Sequence, residues 1–583
     1  MIPVRAYFRL FTGYMRPYRR QAVLLAVVLF ATIGLQLANP QLIAVFINRA
    51  LEDASAETLI PLAALFMAVA VAHQLLMVWA SYLAEQIGWS ATNQMRADLM
   101  DHLIRLDMGF HKGSSPGELI ERIDGDVTAL SNFFSSMIIK VVGNGVLLTG
   151  ILVLLWFQSW IVGLSITVFT LLAVLGMLRL HGVTVPWQKA IRATSAEMYG
   201  FIGEQIDGTE DIEANGATNF MVRRFDEIQR RWLPQVVLGW TGWAMMRITS
   251  MGLYFFSLVM VYVLGSWQFG VGTLTIGSVY LVFQYVQMSH MPIEQIREEL
   301  IDLQKAGASI ARVEDLFARK SKLVQREART LPHDALSVAF DNVTFRYDDE
   351  AGDEIVLDGV SFAIKPGRVV GLLGRTGSGK STIARLLTRL YEPQGGAVRI
   401  DGNATWDIDL ETLRERVALV TQDVQLFRAT VRDNLTFFDP TITDDKLREV
   451  LHRLELDEWL ATLPDELDTT LDSGSGGLSA GQAQLLAFTR VFLRNPGVVV
   501  LDEASSRLDP ATETLLERAV DHLLQDRTAI VIAHRLATIA RADDIVILED
   551  GKVIETGERL TLMEDEDSVF SRLLRTGIEE VLT

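Results

Sequence analysis

Long apolar runs are concentrated in the first half of the chain. Six of them lie before residue 300, at residues 21–47, 58–84, 134–157, 160–180, 244–266 and 274–296. The hydrocarbon core of a bilayer is about 30 Å thick, which about 20 helical residues cross at a rise of about 1.5 Å each. Buried helices of soluble proteins seldom run so long without charge. The pattern therefore predicts six transmembrane helices in succession.

Basic residues around these runs predict the orientation in the membrane. Arg5, Arg9, Arg16, Arg19 and Arg20 precede the first run, with no apolar signal core and cleavage site before them. The loops between runs two and three and between runs four and five are long and basic, whereas the loops on the other side are short and acidic or uncharged. Basic loops stay in the cytoplasm. We therefore expect a multi-pass protein of a bacterial plasma (inner) membrane, with a cytoplasmic N-terminus and a cytoplasmic second half.

Clusters of glycine and proline interrupt both long cytoplasmic loops. One cluster is HKGSSPGEL at His111 to Leu119, and the other is EQIDGTEDIEANG at Glu204 to Gly216. Such clusters are ordinarily plain turns. The functional alternative is that they form short transverse helices, which contact the part of the chain that follows the membrane segment.

The chain changes character after the last apolar run. Residues 319–334 are polar and resemble a linker, and beyond them apolar runs of strand length alternate with helical patterns. That alternation is typical of an α/β domain with a largely parallel sheet. The predicted fold is an all-α transmembrane domain of six helices at residues 1–318, a linker at 319–334 and an α/β domain at 335–583.

Composition excludes several classes of function. The 583 residues include 53 Lys and Arg against 72 Asp and Glu, and the net charge of −19 disfavours a nucleic-acid partner, whose phosphates would be repelled. The chain contains no cysteine. Disulfides, thiolate catalysis and cysteine-ligated metals are thereby excluded, which fits a reducing compartment.

A candidate phosphate-binding loop lies near the start of the α/β domain. The sequence VVGLLGRTGSGKST places a β-rich run, a glycine-rich turn and a helix start in succession, as this kind of loop requires. Gly374, Gly377 and Gly379 let the backbone curl so that its N–H groups point at phosphate oxygens. Lys380 supplies a charge for the β and γ phosphates, and the Ser381 hydroxyl can ligate Mg²⁺. The segment predicts a nucleoside triphosphate site of the P-loop NTPase kind.

Three further strand ends carry polar residues suited to hydrolysis. The strand VVVLDE ends in two carboxylates: Asp502 is suited to hold Mg²⁺ through water, and Glu503 to polarise the water that attacks the γ-phosphate. Gln422 closes the strand VALVTQ, and its amide can reach Mg²⁺ or water. His534 ends the run TAIVIAH, in a position to contact the γ-phosphate and orient the water. Taken alone, each has a plain structural alternative, such as an acidic strand end facing solvent.

The segment LSAGQ is a candidate for a second anion site. Ser479 and Gly481 stand at the start of an apolar helix and offer a hydroxyl, exposed N–H groups and the positive end of a helix dipole. This anion site has no lysine of its own. Because the first phosphate site is already complete, the second suggests a nucleotide held by a neighbouring molecule. The alternative is an ordinary N-cap serine.

Taken together, these residues resemble the ATP-binding cassette (ABC) transporters, specifically half-transporters of the exporter type, over nearly the whole chain. The motifs are Walker A at Gly374 to Thr382, the Q-loop at Gln422, the signature at Leu478 to Gln482, Walker B with Glu503, the D-loop at Ser506 to Asp509 and the switch His534. PGELIERIDGDV and DGTEDIEANGATNFMVRRF are similar to that family's two intracellular loops. Tyr347 looks like the aromatic residue that stacks on adenine.

The resemblance implies roles for individual residues and for the assembly. The ATP-binding set is Tyr347, Gly374, Thr376, Gly377, Ser378, Gly379, Lys380, Ser381, Thr382, Ser479, Gly481 and Gln482; the catalytic set is Glu503, His534 and Gln422; the Mg²⁺ set is Ser381, Gln422 and Asp502. The family also implies a dimer with twelve spans, in which two ATPs lie between Walker A of one cassette and the signature of the other. Closing this sandwich turns the cavity outward, and hydrolysis reopens it.

Two positions depart from the family pattern. Ala480 stands where the signature usually has glycine, and its methyl group crowds a backbone approach that glycine would permit. Arg507 stands in the D-loop where a small residue is more usual. Heterodimeric exporters often combine a kept glutamate with a deviant signature in one subunit. We therefore expect a second, different half-transporter as the partner, in preference to a homodimer.

The substrate and the direction of transport stay open. Polar residues and one methionine in or near the predicted spans either line a cavity or join neighbouring helices, namely His73, Gln74, Gln284, Gln287, Met291, Glu294 and Arg297. The order of spans and cassette favours an exporter of a lipid, a drug-like amphiphile or a peptide. The alternatives are an importer of the same architecture, for example for siderophores, and a nucleotide-gated channel or regulator.

Overall fold

The computed structural model describes residues 12–52, 55–323, 325–347, 355–421, 424–472, 478–502, 510–532 and 539–576. The chain divides into two units. The first comprises residues 1–102 with 117–318, and the second comprises residues 103–116 with 319–583. Residues 103–116, from the segment between the second and third apolar runs, therefore pack with the second unit.

Helices form the part of the chain that precedes residue 319. They are α1 Arg19–Leu51, α2 Ala56–Ile104, α3 Met108–Lys112, α4 Pro116–Ile120, α5 Val127–Ser136, α6 Asn144–Gln158, α7 Trp160–Asp207, α8 Thr209–Ala214, α9 Thr218–Gly270 and α10 Ile276–Ala318. Wider π-helical segments join α4 to α5 and α5 to α6. With 53 residues, α9 is about 80 Å long at about 1.5 Å per residue, so it extends well beyond a bilayer core.

Both segments with glycine clusters contain short helices. The first carries α3 and α4, of five residues each, and the second carries α8, of six residues. The end of α3 is followed by Gly113, and Gly208 precedes α8.

Four helical stretches in the described part of the chain are long and apolar enough to cross a membrane. They are Thr12–Leu51, Ala56–Ile104, Lys140–Gln158 and Thr218–Gly270. A shorter apolar stretch, Trp160–Gly176, begins α7. The sixth predicted run lies in α10, where Gln284, Gln287 and His290 lower the mean hydropathy. The helical transmembrane domain is thus present, and the fourth and sixth spans stay predictions.

Side chains of five helices form one apolar core cluster of the first unit. This cluster includes Leu29 and Ile33 of α1, Ile151 and Leu155 of α6, Ile166 of α7, Val261 of α9 and Val282 of α10. Hydrogen bonds link α10 to α1 in the same region. The Tyr285 hydroxyl donates to the carbonyl oxygen of Leu37 at 2.9 Å and accepts from Nε2 of Gln41 at 3.0 Å. In lipid such polar contacts contribute to helix association because apolar side chains gain little by leaving one apolar medium for another.

An ion pair with a buried carboxylate joins the C-terminal part of α10 to the π-helical segment before α5. Asp126 is 2% exposed; its Oδ2 accepts from Nε of Arg312 at 2.8 Å, and its Oδ1 accepts from the hydroxyl of Ser309 at 2.9 Å. Burial acts to raise the pKa of Asp126. The hydrogen bonds from Arg312 and Ser309 outweigh burial, so the pKa lies below its ordinary value. The carboxylate therefore stays charged at neutral pH.

The second unit is built on two main sheets. Its strands are β1 Val338–Phe345, β2 Leu357–Ile364, β3 Val369–Leu373, β4 Gly395–Ile400, β5 Asn403–Ala404, β6 Val417–Val420, β7 Ala429–Thr430, β8 Thr470–Leu471, β9 Val498–Asp502, β10 Thr528–Ile532, β11 Asp544–Glu549 and β12 Lys552–Glu558. The larger sheet has the order β12-β11-β3-β10-β9-β6, and the other has the antiparallel order β2-β1-β4-β5. In the larger sheet all neighbours are parallel except β12 with β11.

The second unit also contains helices between and after these strands. They are α11 Lys380–Leu387, α12 Leu410–Arg416, α13 Val431–Thr436, α14 Asp444–Arg453, α15 Asp457–Thr462, α16 Ala480–Arg494, α17 Pro510–Leu524, α18 Arg559–Glu564 and α19 Val569–Thr576. Val499 and Leu501 of β9 pack in one core cluster, whereas Val498 and Val500 pack in another. Successive side chains of a strand point to opposite faces, so β9 is buried on both. The predicted combination of a helical membrane domain with an α/β domain is confirmed.

Candidate nucleotide-binding site

The candidate functional residues lie at or just beyond the carboxyl ends of four neighbouring parallel strands. The order β3-β10-β9-β6 brings together the end before the glycine-rich loop, the end before His534, the end at Asp502 and the end before Gln422. Open α/β sheets bind ligands at this edge. Gln422, Glu503 and His534 themselves lie outside the described residues, as does the D-loop with Arg507.

The backbone of the glycine-rich loop adopts left-handed conformations that side chains disfavour. Gly374 has φ of 149° and Gly379 has φ of 103°. A Cβ at Gly374 would collide with the carbonyl oxygen of Leu548, and one at Gly379 would come within 2.5 Å of a methyl carbon of Leu357. Thr376 and Gly377 lie in the loop between them. Glycine is therefore required at both positions for the chain to curl from β3 into α11.

Lys380 lies inside the curl of the loop. Its Nζ donates to the carbonyl oxygen of Gly374 at 2.5 Å and to that of Arg375 at 3.0 Å, and the residue is 6% exposed. Burial lowers the pKa of Lys380, while the Asp502 carboxylate opposes that shift. A phosphate placed in the loop would favour the charged ammonium, because an opposite charge stabilises it.

The hydroxyl of Ser378 supplies a test of whether the loop suits a phosphate. Ser378 is 4% exposed, and its Oγ has no hydrogen-bond partner among the residues that the structure describes. Buried polar atoms are almost always hydrogen-bonded, so an atom of this kind calls for a ligand. A phosphate oxygen in the loop can accept a hydrogen bond from this hydroxyl. The residues of the loop therefore fit a nucleoside triphosphate.

Ser381 and Asp502 meet at the start of α11 and the end of β9. The Ser381 hydroxyl donates to Oδ2 of Asp502 at 3.2 Å. A hydroxyl and a carboxylate oxygen are hard ligands of the kind that Mg²⁺ prefers, and Mg²⁺ usually retains several waters beside them. The two predicted Mg²⁺ residues that the structure describes are thus adjacent.

Tyr347 is fixed to α11 at its hydroxyl and to two aromatic rings at its side. Its Oη lies 3.0 Å from Oγ1 of Thr382 and accepts from Nη1 of Arg385 at 3.0 Å. The rings of Phe345 and Tyr391 are nearly perpendicular to it, with centroids 4.8 and 5.1 Å away. Tyr347 therefore lies beside the helix that the phosphate loop opens.

The LSAGQ segment begins α16 with a reciprocal cap. The hydroxyl of Ser479 accepts from the backbone N–H of Gln482 at 3.2 Å, and the backbone N–H of Ser479 donates to Oε1 of Gln482 at 3.1 Å. This is a capping box, which satisfies two N–H groups of the first turn. Gly481 is buried next to them. Because the Ser479 hydroxyl accepts here, its own proton is available to a further acceptor.

Sequence reasoning missed two residues around Tyr347. Arg385 lies one turn beyond Ser381 on α11, and helical spacing from the loop could have found it. The Nζ of Lys112, on α3, lies 4.5 Å from the centroid of the Tyr347 ring. No sequence pattern relates two residues so far apart in the chain.

The fold and this site define a membrane protein with a P-loop ATPase domain. The ABC transporter transmembrane region family matches residues 23–291, and the ABC transporter family matches residues 357–506. An ATP-dependent lipid A-core flippase of Idiomarina loihiensis is 30% identical over 97% of this chain and 96% of its own length. A fatty acid ABC transporter ATP-binding/permease protein of Mycobacterium bovis is 31% identical over 86% of this chain and 78% of its own length.

The chain therefore belongs to the ABC transporter family, as an exporter-type half-transporter with a multi-pass membrane domain and an ATP-binding, ATP-hydrolysing domain. A solved structure, described as a bacterial Atm1-family ABC exporter with ATP bound, superposes with a TM-score of 0.82 at 22% identity, covering 96% of this chain and 98% of that one. At that identity the likeness concerns the fold alone. The predicted family, fold class and ATPase activity are confirmed.

Proposed function

We propose that this chain is one half of a dimeric exporter that moves a lipid-like amphiphile out of the cytoplasmic leaflet of a bacterial inner membrane by alternating access. The observation that carries the proposal is the ATP site of the second unit, in one chain with membrane-spanning helices. The N-terminus and the ATP-binding domain of the chain are cytoplasmic, in line with the basic loops between the predicted spans. Nucleotide binding favours one of two global states, as a population shift requires.

The described residues divide the work of holding the triphosphate. The loop backbone and the Ser378 hydroxyl donate to phosphate oxygens, and Lys380 adds the charge. Ser381 and Asp502 hold Mg²⁺, which offsets charge on the phosphates. Tyr347 offers its ring to adenine. The 3.2 Å contact of Ser381 with Asp502 supports the metal assignment, because it brings a hydroxyl and a carboxylate to one point.

Hydrolysis falls to residues that follow the strand ends. Glu503 comes directly after β9 and accepts the proton of the attacking water; His534 and Gln422 orient that water. The adjacency of β10, β9 and β6 supports this set, since their carboxyl ends lie side by side.

The signature of a second chain completes each nucleotide site. Ser479, at the start of α16, has a proton to donate, and the first turn of that helix attracts an anion. Ala480 and Arg507 depart from the family pattern, which favours a heterodimer in which a different half-transporter supplies the other signature.

The partner is tested by expressing the chain alone. We expect the purified lone chain in detergent or nanodiscs to hydrolyse ATP at a small fraction of the rate of its assembly with a second half-transporter, because each site then lacks a matching signature. Mass photometry and ATPase assays on the same sample measure assembly and rate together. A lone chain that forms dimers and hydrolyses ATP fully would mean a homodimer.

The first unit contains a small recess lined by both polar and apolar side chains. It has a volume of about 30 Å³, room for about one water molecule. Its polar lining is Thr170, Ser250, Tyr254, Ser257, Ser289 and His290. The Ser250 hydroxyl donates to Oε1 of Glu294, and the rings of Tyr254 and His290 lie 4.6 Å apart. Polar groups within membrane spans are expensive, so their concentration supports a binding role.

The residues that the sequence analysis names in or near the predicted spans lie in different surroundings. Glu294 belongs to the recess network through Ser250, whereas Gln287 and Met291 are exposed on α10 and Gln284 is half-buried. His73 is half-buried and Gln74 exposed on α2. The side chain of Arg297 lies outside the described residues.

The recess belongs to the cytoplasmic half of the predicted span. His290 is 14 residues beyond Ile276, where α10 begins. At about 1.5 Å per residue it lies about 21 Å along the helix, past the middle of a bilayer core about 30 Å thick. An amphiphile taken from the cytoplasmic leaflet would present its head at this depth. Two relatives, named as a lipid A-core flippase and a fatty acid transporter, support a lipid-like substrate.

Transport is tested with the assembled transporter in vesicles of phosphatidylethanolamine and phosphatidylglycerol, with the ATPase domain outside. We expect ATP-dependent movement of a fluorescent fatty acid or phospholipid from the outer to the inner leaflet, and Glu294→Gln to raise the substrate concentration for half-maximal flux several-fold. The matched control Glu197→Gln, on the exposed surface of α7, should leave it unchanged. Movement in the opposite direction would mean an importer, and ion current without flux would mean a channel.

A further inference from the structure

A lysine from the first cytoplasmic loop covers the aromatic residue of the nucleotide site. Lys112 is the last residue of α3, and its Nζ lies 4.5 Å from the centroid of the Tyr347 ring. Both residues belong to the second unit. An ammonium over an aromatic ring at this distance is a cation–π contact.

The short helix that carries Lys112 is itself held in place. Asp107 is 7% exposed and caps α3, accepting from the backbone N–H of Phe110 at 3.2 Å through Oδ1. Its other oxygen accepts from the backbone N–H of Lys322 at 2.8 Å. The guanidinium of Arg319 lies over the ring of Phe110, 5.6 Å from its centroid. The helix is thus attached to residues 319–322, the start of the predicted linker. These contacts fix the position of α3, which carries Lys112.

Several side chains surround the ring of Tyr347, among them Arg385, whose guanidinium lies 6.0 Å from the ring centroid. Phe345 and Tyr391 stand perpendicular to the ring and belong to or pack against the core, and the hydroxyl is taken by Thr382 and Arg385. The Lys112 ammonium lies over the same ring, 4.5 Å from its centroid. An adenine that stacks on Tyr347 needs a flat area of the same size as the ring, so a base on the face that Lys112 contacts would meet the lysine.

We propose that Lys112 and the adenine base compete for the same face of Tyr347, so that ATP binding displaces Lys112 and thereby loosens α3. This inference rests on the proposed role of Tyr347 in binding adenine. It makes the first cytoplasmic loop a direct sensor of the base, and not only of the phosphates. A triphosphate without a base would bind to the loop at Lys380 and leave Lys112 on the ring.

Binding measurements on the full-length assembly in nanodiscs test the competition. We expect Lys112→Met to tighten ATP binding about two- to fivefold relative to inorganic tripolyphosphate, which is what loss of an exposed cation–π contact is worth. Using the ratio of the two dissociation constants removes any general effect of the lost charge on phosphate binding. The matched control Lys112→Arg keeps a cation for the ring and should leave the ratio near that of the wild type.

A double-mutant cycle separates the ring from other contacts of Lys112. In a Tyr347→Ala background, Lys112→Met should no longer change the ratio, because there is no ring to compete for. If Lys112→Met leaves the ratio unchanged in the wild-type background, the competition is overturned. If the substitution weakens the binding of ATP but not of tripolyphosphate, the competition is also overturned, because Lys112 would then be a contact of the nucleotide. Failure of the wild-type assembly to bind ATP at all would instead refute the proposed nucleotide site.

Discussion

Replacing Glu503 by glutamine is expected to lower the ATPase rate of the assembled transporter about 100-fold or more, while ATP affinity stays within about twofold of the wild type. Glutamine has the size and shape of glutamate but cannot accept the proton of the attacking water. The groups that hold the triphosphate, Ser378, Lys380 and Ser381, come before and within α11 and are unchanged. The substitution therefore separates binding from the chemical step.

Steady-state phosphate release and equilibrium binding of ATP measure the two quantities. The matched control is Glu549→Gln, the same chemical change at the exposed end of β11, another strand of the same sheet. We expect the control to keep its ATPase rate. If Glu503→Gln hydrolyses ATP as fast as that control, another residue must take the proton.

The membrane segments and the phosphate loop could be predicted because their signals are local. An apolar run reports a membrane span without reference to any other residue. The glycines at 374 and 379 lie in left-handed backbone, which the spacing of the motif already required. Likewise, an uninterrupted apolar strand such as the one before Asp502 is typical of burial on both faces, and β9 packs in two separate core clusters.

The order of the strands and the contacts between distant segments could not be predicted. Side-chain periodicity tells which face of an element is buried, but not which element lies against it. Thus β10 lies between β3 and β9, although it comes after both in the sequence. The contact of Lys112 with Tyr347, and the attachment of α3 to Lys322 through Asp107, follow from packing over long separations in the chain.

The last span illustrates a different limit of sequence reasoning. The length of the run at residues 274–296 predicts a transmembrane span, but the helix that contains this run carries several glutamines and a histidine. Those polar groups lower its mean hydropathy, and one of them, His290, lines the recess beside Ser250 and Tyr254. A span that lines a polar cavity weakens the same signal by which spans are recognised, since its inward face need not match lipid.

Substituting Asp502 by asparagine is expected to raise the Mg²⁺ concentration for half-maximal ATPase activity about 10- to 100-fold. The amide oxygen of asparagine can still accept from the Ser381 hydroxyl, which lies 3.2 Å from the carboxylate in the native protein. The negative charge that attracts the metal is lost, and a neutral oxygen holds metal-bound water less firmly. The local structure should thus persist while the metal is bound more weakly.

The dependence of ATPase rate on Mg²⁺, and ATP binding with the metal chelated, distinguish a metal defect from a folding defect. We expect Asp502→Asn to shift the Mg²⁺ midpoint and to bind metal-free ATP normally or better, because a carboxylate near the phosphates has been neutralised. Asp550→Asn is the matched control: it removes one charge from an exposed turn after β11, where φ of 47° suits asparagine as well as aspartate. Ser381→Ala should shift the midpoint in the same direction as Asp502→Asn, and the double variant by less than the sum of the two, because both act on one ion. An Mg²⁺ midpoint that stays at the control value would show that the contact between Ser381 and Asp502 only joins helix to strand.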